Sequence, residues 1–202
     1  MILVTFWTSQ KYRVLAAELE FTATRFCQRT KVYEWPDAGS WSGNTRQKPK
    51  VIARALEDHP GEAVLFVDAD ALLLGPVEAV ETGPHDWGAY FRRWDLPYCG
   101  TMYFRNNANA RRLVRLWEHF MDTQPEIEDE EGLFLAHRTL KGAVRCRFLE
   151  PRWCWMEDEM KSVYPFEEPI IWHHVVGDID ERHRRAKLRN DRRLARLEKE
   201  AR

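Results

Sequence analysis

The chain is short of cysteine, short of long apolar runs and nearly without net charge, and each shortage excludes a class of protein. Its four cysteines, Cys27, Cys99, Cys146 and Cys154, lack the C-x-x-C spacing of a zinc site. Four reduced thiols in a cytosolic protein are the expectation. The opening run Met1-Ile2-Leu3-Val4 carries no basic leader. It falls far short of the ~20 apolar residues that span a bilayer. No export signal or transmembrane segment is expected, and the chain reads as cytoplasmic. With 31 basic against 32 acidic residues, the chain as a whole also lacks the basic excess of a nucleic-acid binder.

What it does have is unevenly placed. Residues 181–202 hold ten Lys or Arg against four Asp or Glu, so a mildly acidic body of residues 1–180 carries a basic C-terminal helix. Such a tail is either a solvated helix or a contact for nucleic acid or a protein partner, and the solvated helix is favoured because no aromatic residue interleaves its arginines. At 202 residues the chain suits one domain with a substantial core. Nine tryptophans are many, and scattered as they are most belong to core or rim packing.

Residues 2–7 read as a buried strand, with Ser9 capping a helix over 10–26 whose apolar face is Val14, Leu15, Leu19 and Phe26. A short strand over 32–35, a Gly/Ser/Asn-rich loop over 36–46 and a helix over 48–57 follow, with Val51, Ile52, Ala55 and Leu56 on one side. Pro60-Gly61 breaks that helix before a strand over 63–67. Strands alternating with helices predict an α/β fold with a mainly parallel central sheet. Further strands are expected over 87–91, 101–104, 146–149 and 170–173, with a loop through Asp95, Pro97 and Gly100. Helices are expected from Asn106 or Asn107 to Met121 and over 132–140.

The strand over 63–67 runs directly into Asp68-Ala69-Asp70. A strand buried on both faces cannot keep carboxylates in the sheet, so the pair belongs where the strand emerges, the edge at which open α/β folds place ligands. Two carboxylates so close suit a hard divalent cation that keeps positions for water and phosphate oxygens.

Taken with Lys48 and Lys50 ahead of it, Gly100-Thr101-Met102-Tyr103-Phe104-Arg105-Asn106 and Asp129-Glu130 after it, and His174-Val175-Val176-Gly177 late in the chain, this run resembles the GT-A-type nucleotide-sugar glycosyltransferases over residues 1–177. The resemblance implies a single Rossmann-type domain over 1–180 that transfers a sugar from a UDP-sugar to an acceptor, with Mn²⁺ or Mg²⁺. It puts the metal on Asp68, Asp70 and His174, with His173 as the alternative ligand. It puts the base and ribose at Thr5, Thr8 and Tyr12, a phosphate or ribose contact at Lys48, and the donor ribose and sugar beside Asp68. Gly100 and Thr101 fall beside the donor sugar. Cys99 stands where many members have Asn, which removes one expected sugar hydrogen bond. Asp129 and Glu130 fall where the family reaches sugar hydroxyls or the reaction centre, and Glu157-Asp158-Glu159 is a second acidic stretch for acceptor contacts. An inverting course would use such a carboxylate as general base on the acceptor hydroxyl. The rival reading is a non-catalytic binding protein on a transferase-like fold whose basic tail contacts nucleic acid or a partner.

Overall fold

The computed structural model describes residues 1–26, 28–92, 96–156, 160–161, 163–164 and 167–173. Cys27, Asp95, Glu157-Asp158-Glu159, His174 and the basic tail lie outside the described residues.

A mixed six-stranded sheet forms the centre. It uses β1 (Ile2–Trp7), β2 (Thr30–Glu34), β3 (Val64–Val67), β5 (Trp87–Arg92), β6 (Leu96–Phe104) and β7 (Cys146–Phe148), in the spatial order β2-β1-β3-β6-β5-β7. Five strands run one way and β6 runs against both of its neighbours, so the sheet is mainly parallel. Val64, Leu65, Phe66 and Val67 are fully buried, as a central strand covered on both faces requires.

Helices α3 (Lys48–Asp58), α4 (Ala108–Thr123) and α5 (Asp129–Thr139) cover one face. Val51, Ile52, Leu56, Leu113, Trp117 and Leu133 pack there against Val4, Phe66, Trp87 and Met102. The other face is covered by α1 (Gln10–Thr24) and by a small second sheet, β4 (Ala71–Leu73), β9 (Ile171–His173) and β8 (Trp155–Met156), in the order β4-β9-β8. No helix among the described residues is long and apolar enough to cross a membrane.

Three local expectations are corrected. The buried strip of α1 is Ala16, Leu19 and Ala23, while Val14 is 53% exposed. These positions follow i, i+3, i+7 spacing, and the small alanines let the helix lie close to the sheet. The 36–46 loop holds a short helix, α2 (Trp41–Thr45), capped by Ser40 Oγ, which accepts from the Gly43 N–H at 3.0 Å. The loop expected through Pro97 and Gly100 is instead the first half of β6. There Ala89 pairs with Met102 but Phe91 with Pro97, so residues 98–101 bulge opposite Tyr90. Proline and glycine, which signal loops, are also the residues an irregular ladder tolerates.

Candidate functional site

Asp68 is the first residue beyond β3. Its N–H donates to Gly100 O at 2.8 Å, and Ala71 N–H closes the turn on Asp68 O at 3.1 Å before β4 begins. Asp68 and Asp70 thus sit in a tight turn at the C-terminal edge of the parallel strands, with Ala69 buried between them. The turn sends the chain straight into β4, a strand that the continuous apolar run after Asp70 did not distinguish from β3.

Lys48 opens α3 with Pro49 behind it, and its side chain is 6% exposed. The ammonium lies 3.0 Å from both Asp68 oxygens, 3.1 Å from Asp129 Oδ2 and 3.1 Å from Cys99 O. It also stands 5.9 Å from the centre of the Phe66 ring. Burial acts to lower the Lys48 pKa, but the Asp129 and Asp68 carboxylates outweigh it and hold the group well above its ordinary value. Lys48 is therefore a fixed cation whose donors are already engaged by protein oxygens. The bulge in β6 matters here, because an irregular ladder frees the Cys99 carbonyl to turn toward that ammonium.

Burial pushes the Asp68 carboxyl up to about 7, with Lys48 opposing and the like charges of Asp70 and Asp129 adding to the rise. The side chain keeps 29% of its surface accessible, so a ligand can reach it from the open side of the turn.

Asp129 is the first residue of α5, three residues earlier than the sequence spacing predicts. Glu131 makes the difference, because its carboxylate accepts from the Glu128 N–H at 3.0 Å and starts the helix there. The first turn thus carries Asp129, Glu130 and Glu131, the charge sign a helix N-terminus favours. Trp117 Nε1 donates to Asp129 O at 2.9 Å, and the Asp129 side chain is 6% exposed. Glu130, half-buried beside it, raises the pKa of the buried Cys99 and Cys154 thiols, which burial chiefly sets.

His173 ends β9 opposite Ala71, so it stands across from the aspartate turn. Its Nε2 lies 2.8 Å from Thr101 Oγ1 in a buried contact. The ring lies against Gly100, where an added Cβ would come within 3.0 Å of His173 Cε1, so glycine is needed for this close approach. Burial pushes the Cys154 thiol up to about 12, and its hydrogen bonding at Thr101 opposes the rise.

Thr5 is 1% exposed, on β1 one residue past the Val4–Phe66 pair, and its hydroxyl has no partner among the described residues. A buried hydroxyl left unpaired is costly, which suits a ligand atom at that position. Thr8 is half-buried in the turn after β1, and Tyr12 in the first turn of α1, where Lys11 stands 5.9 Å from its ring centre. The structure therefore joins Lys48, Asp68 and Asp129 directly and packs Gly100, Thr101 and His173 beside them. Thr5, Thr8 and Tyr12 lie toward β1.

Among the described residues no group of three or more His, Cys, Asp or Glu side chains is placed to hold a metal ion. Asp68 and Asp70 nonetheless suit a cation that takes its other ligands from phosphate and water, since Mg²⁺ sites commonly use one or two carboxylates. The raised Asp68 pKa comes chiefly from burial, opposed by Lys48, with the Asp70 and Asp129 carboxylates adding to the rise. Sequence reasoning missed the Cys99 carbonyl and Trp117, which act on main-chain atoms or through them and so leave no side-chain pattern. Cys99, Cys146 and Cys154 are free thiols.

No protein-family model and no curated protein matches this sequence. Solved structures do match. A crystal structure of a glycosyltransferase involved in the glycosylation of the major capsid of PBCV-1 aligns with a TM-score of 0.65 at 14% identity, over 90% of this chain and 96% of that one. The apo form of the glycosyltransferase GlyE from Streptococcus pneumoniae TIGR4 aligns with a TM-score of 0.60 at 13% identity, over 88% of this chain and 55% of GlyE. A second GlyE structure gives 0.60 at 14% identity with the same coverage. The chain thus spans about half the length of GlyE and nearly all of the first relative. At these identities the likeness is one of architecture: the chain has the fold of a glycosyltransferase.

Proposed function

We propose that the chain is a metal-dependent glycosyltransferase that moves a sugar from a UDP-sugar donor to an acceptor hydroxyl. The observation that carries this reading is the cluster of Lys48, Asp68 and Asp129 at the C-terminal edge of the parallel strands, on a glycosyltransferase fold. Glycosyl transfer from a nucleotide sugar expels a diphosphate, so the site must neutralise growing negative charge without strong proton donors. Mn²⁺ or Mg²⁺ held by Asp68, Asp70 and His174, or by His173 in its place, would supply that neutralisation.

The chain's own groups then divide the remaining work. The unpartnered Thr5 hydroxyl suits an edge of the base, with Thr8 and Tyr12 completing that end of the donor. Gly100 admits the His173 ring beside Thr101, at the place where the resemblance puts the donor sugar. Asp129 and Glu130 project from the start of α5 and take the sugar hydroxyls or, in an inverting course, the acceptor proton. Lys48 keeps Asp68 and Asp129 from repelling each other, so both remain in place before the donor arrives.

The test is UDP release from UDP-glucose, UDP-galactose and UDP-N-acetylglucosamine, each with Mn²⁺, with Mg²⁺ and with EDTA. Release that needs metal and is lost in Asp70→Ala supports the reading. Absence of UDP binding to the native protein by calorimetry, in the presence of Mn²⁺, overturns it.

A further inference from the structure

Arg46 lies between α2 and α3, two residues before Lys48, and its guanidinium binds a distant part of the chain. It donates to the main-chain carbonyls of Met121 and Ile127 and to that of Gln124, the last at 3.1 Å. Met121 lies in the last turn of α4 and Gln124 follows the helix as its cap, so both carbonyls belong to the end of a helix where intrahelical partners run out. The last turn of α4 contains no basic side chain of its own. Arg46 therefore supplies the positive charge and donors that this helix end favours. Its third acceptor, Ile127 O, sits in the connector two residues before Asp129.

The neighbouring cations act on the same stretch. Lys48 reaches Asp129 Oδ2 at 3.1 Å, and Lys50 reaches Asp122 Oδ1 at 2.9 Å. Arg46, Lys48 and Lys50 thus grip the chain from the end of α4 to the start of α5 at three heights. Arg46 is the member that fixes main-chain positions. A planar fork of donors serves several carbonyls at once, which a lysine ammonium on a flexible stem does less well.

We propose that Arg46 is a positioning residue for the reaction centre: by capping α4 and holding Ile127 O, it sets the α4–α5 connector so that Asp129 and Glu130 stand at the site. The proposal rests on the reading of Asp129 and Glu130 as groups that meet sugar or acceptor. A connector loosened by even a small displacement leaves donor binding at Thr5, Asp68 and Asp70 intact while misplacing the α5 carboxylates. The loss therefore falls on turnover rather than on donor affinity.

The experiment compares native protein with Arg46→Ala, Arg46→Lys and, as a control on the exposed side of α3, Arg54→Ala. Amide hydrogen exchange is followed along the chain, and UDP release from the UDP-sugar that the native protein uses gives kcat and KM. In both Arg46 variants exchange rises at residues 125–132 while β1 and β3 keep their protection, kcat falls about tenfold or more, and KM for the donor stays within about twofold. Added guanidinium ion partly restores kcat in Arg46→Ala. Arg54→Ala changes neither measurement. Arg46→Lys keeps the charge, so it remains informative where Arg46→Ala fails to fold. Unchanged exchange at 125–132 in Arg46→Lys overturns the proposal, and so does a fall in kcat matched by an equal rise in KM. If the native protein releases no UDP from any donor tested, the glycosyltransferase reading fails, and exchange at 125–132 alone decides whether Arg46 holds the connector.

Discussion

Lys48 and Asp129 form a 3.1 Å ion pair in which each side chain exposes only 6% of its surface. The same ammonium serves Asp68, so removing it leaves two carboxylates without their shared cation. Breaking a buried pair by removing one partner costs about 3–5 kcal/mol, whereas replacing both partners with apolar groups is often neutral. Lys48→Met should therefore destabilise strongly, and Lys48→Met combined with Asp129→Leu should recover part of that loss. Urea unfolding of the two variants decides it. If Lys48→Met unfolds within about 1 kcal/mol of the native protein, the lysine is not the support of the site.

Asp70 is a different case, because it stands in the turn after β3 rather than in the core. Asp70→Ala should abolish metal-dependent UDP binding while unfolding remains cooperative. Calorimetry with UDP and Mn²⁺ measures the first effect, and a melting curve the second. Binding equal to that of the native protein removes Asp70 from the metal site.

Much of this arrangement is legible in the sequence. The buried strands announce themselves by unbroken apolar runs, and α3 by the spacing of Val51, Ile52, Ala55 and Leu56, all buried in the fold. The aspartates were expected at a strand exit, and Asp68 directly follows β3. The contacts that join distant segments are less legible. Lys48 reads as a phosphate or ribose contact, and nothing in its sequence neighbourhood reveals that Asp129, far along the chain, lies 3.1 Å away. Arg46 was passed over for a related reason: it binds carbonyls, and every residue has one. The bulged half of β6 was hidden by Pro97 and Gly100, whose turn chemistry is the same whether the chain bends in a loop or in an irregular strand.

The adjacent histidines make a prediction with two separate readouts. His173 Nε2 is engaged with Thr101 Oγ1 at 2.8 Å in a buried setting, so His173→Ala should lower stability by about 1–2 kcal/mol through the lost hydrogen bond and the ring's packing. With His174 as the metal ligand, His174→Ala should weaken Mn²⁺-dependent UDP binding well beyond His173→Ala. Calorimetry and urea unfolding on the two variants separate the roles. Greater loss of metal affinity in His173→Ala would transfer the ligand assignment to that residue.

The Asp68 carboxyl, raised to about 7 chiefly by burial, makes the metal-free protein sensitive to pH in a defined direction. An unfolded aspartate titrates near about 3.9, so between about pH 4 and about pH 7 the folded chain holds a proton here that the unfolded chain has released. This group's contribution to stability is therefore fully present below about pH 4 and is lost as pH rises through about 7. Asp68→Asn cannot titrate, and relative to the native protein it should gain stability steadily from about pH 4 to about pH 7. Urea unfolding of both proteins across that range, with EDTA present, measures the difference directly. The same proton competes with a cation at Asp68, so Mn²⁺-dependent UDP binding should strengthen as pH rises through about 7. A stability difference between Asp68→Asn and the native protein that does not vary with pH contradicts the assigned state of this carboxyl.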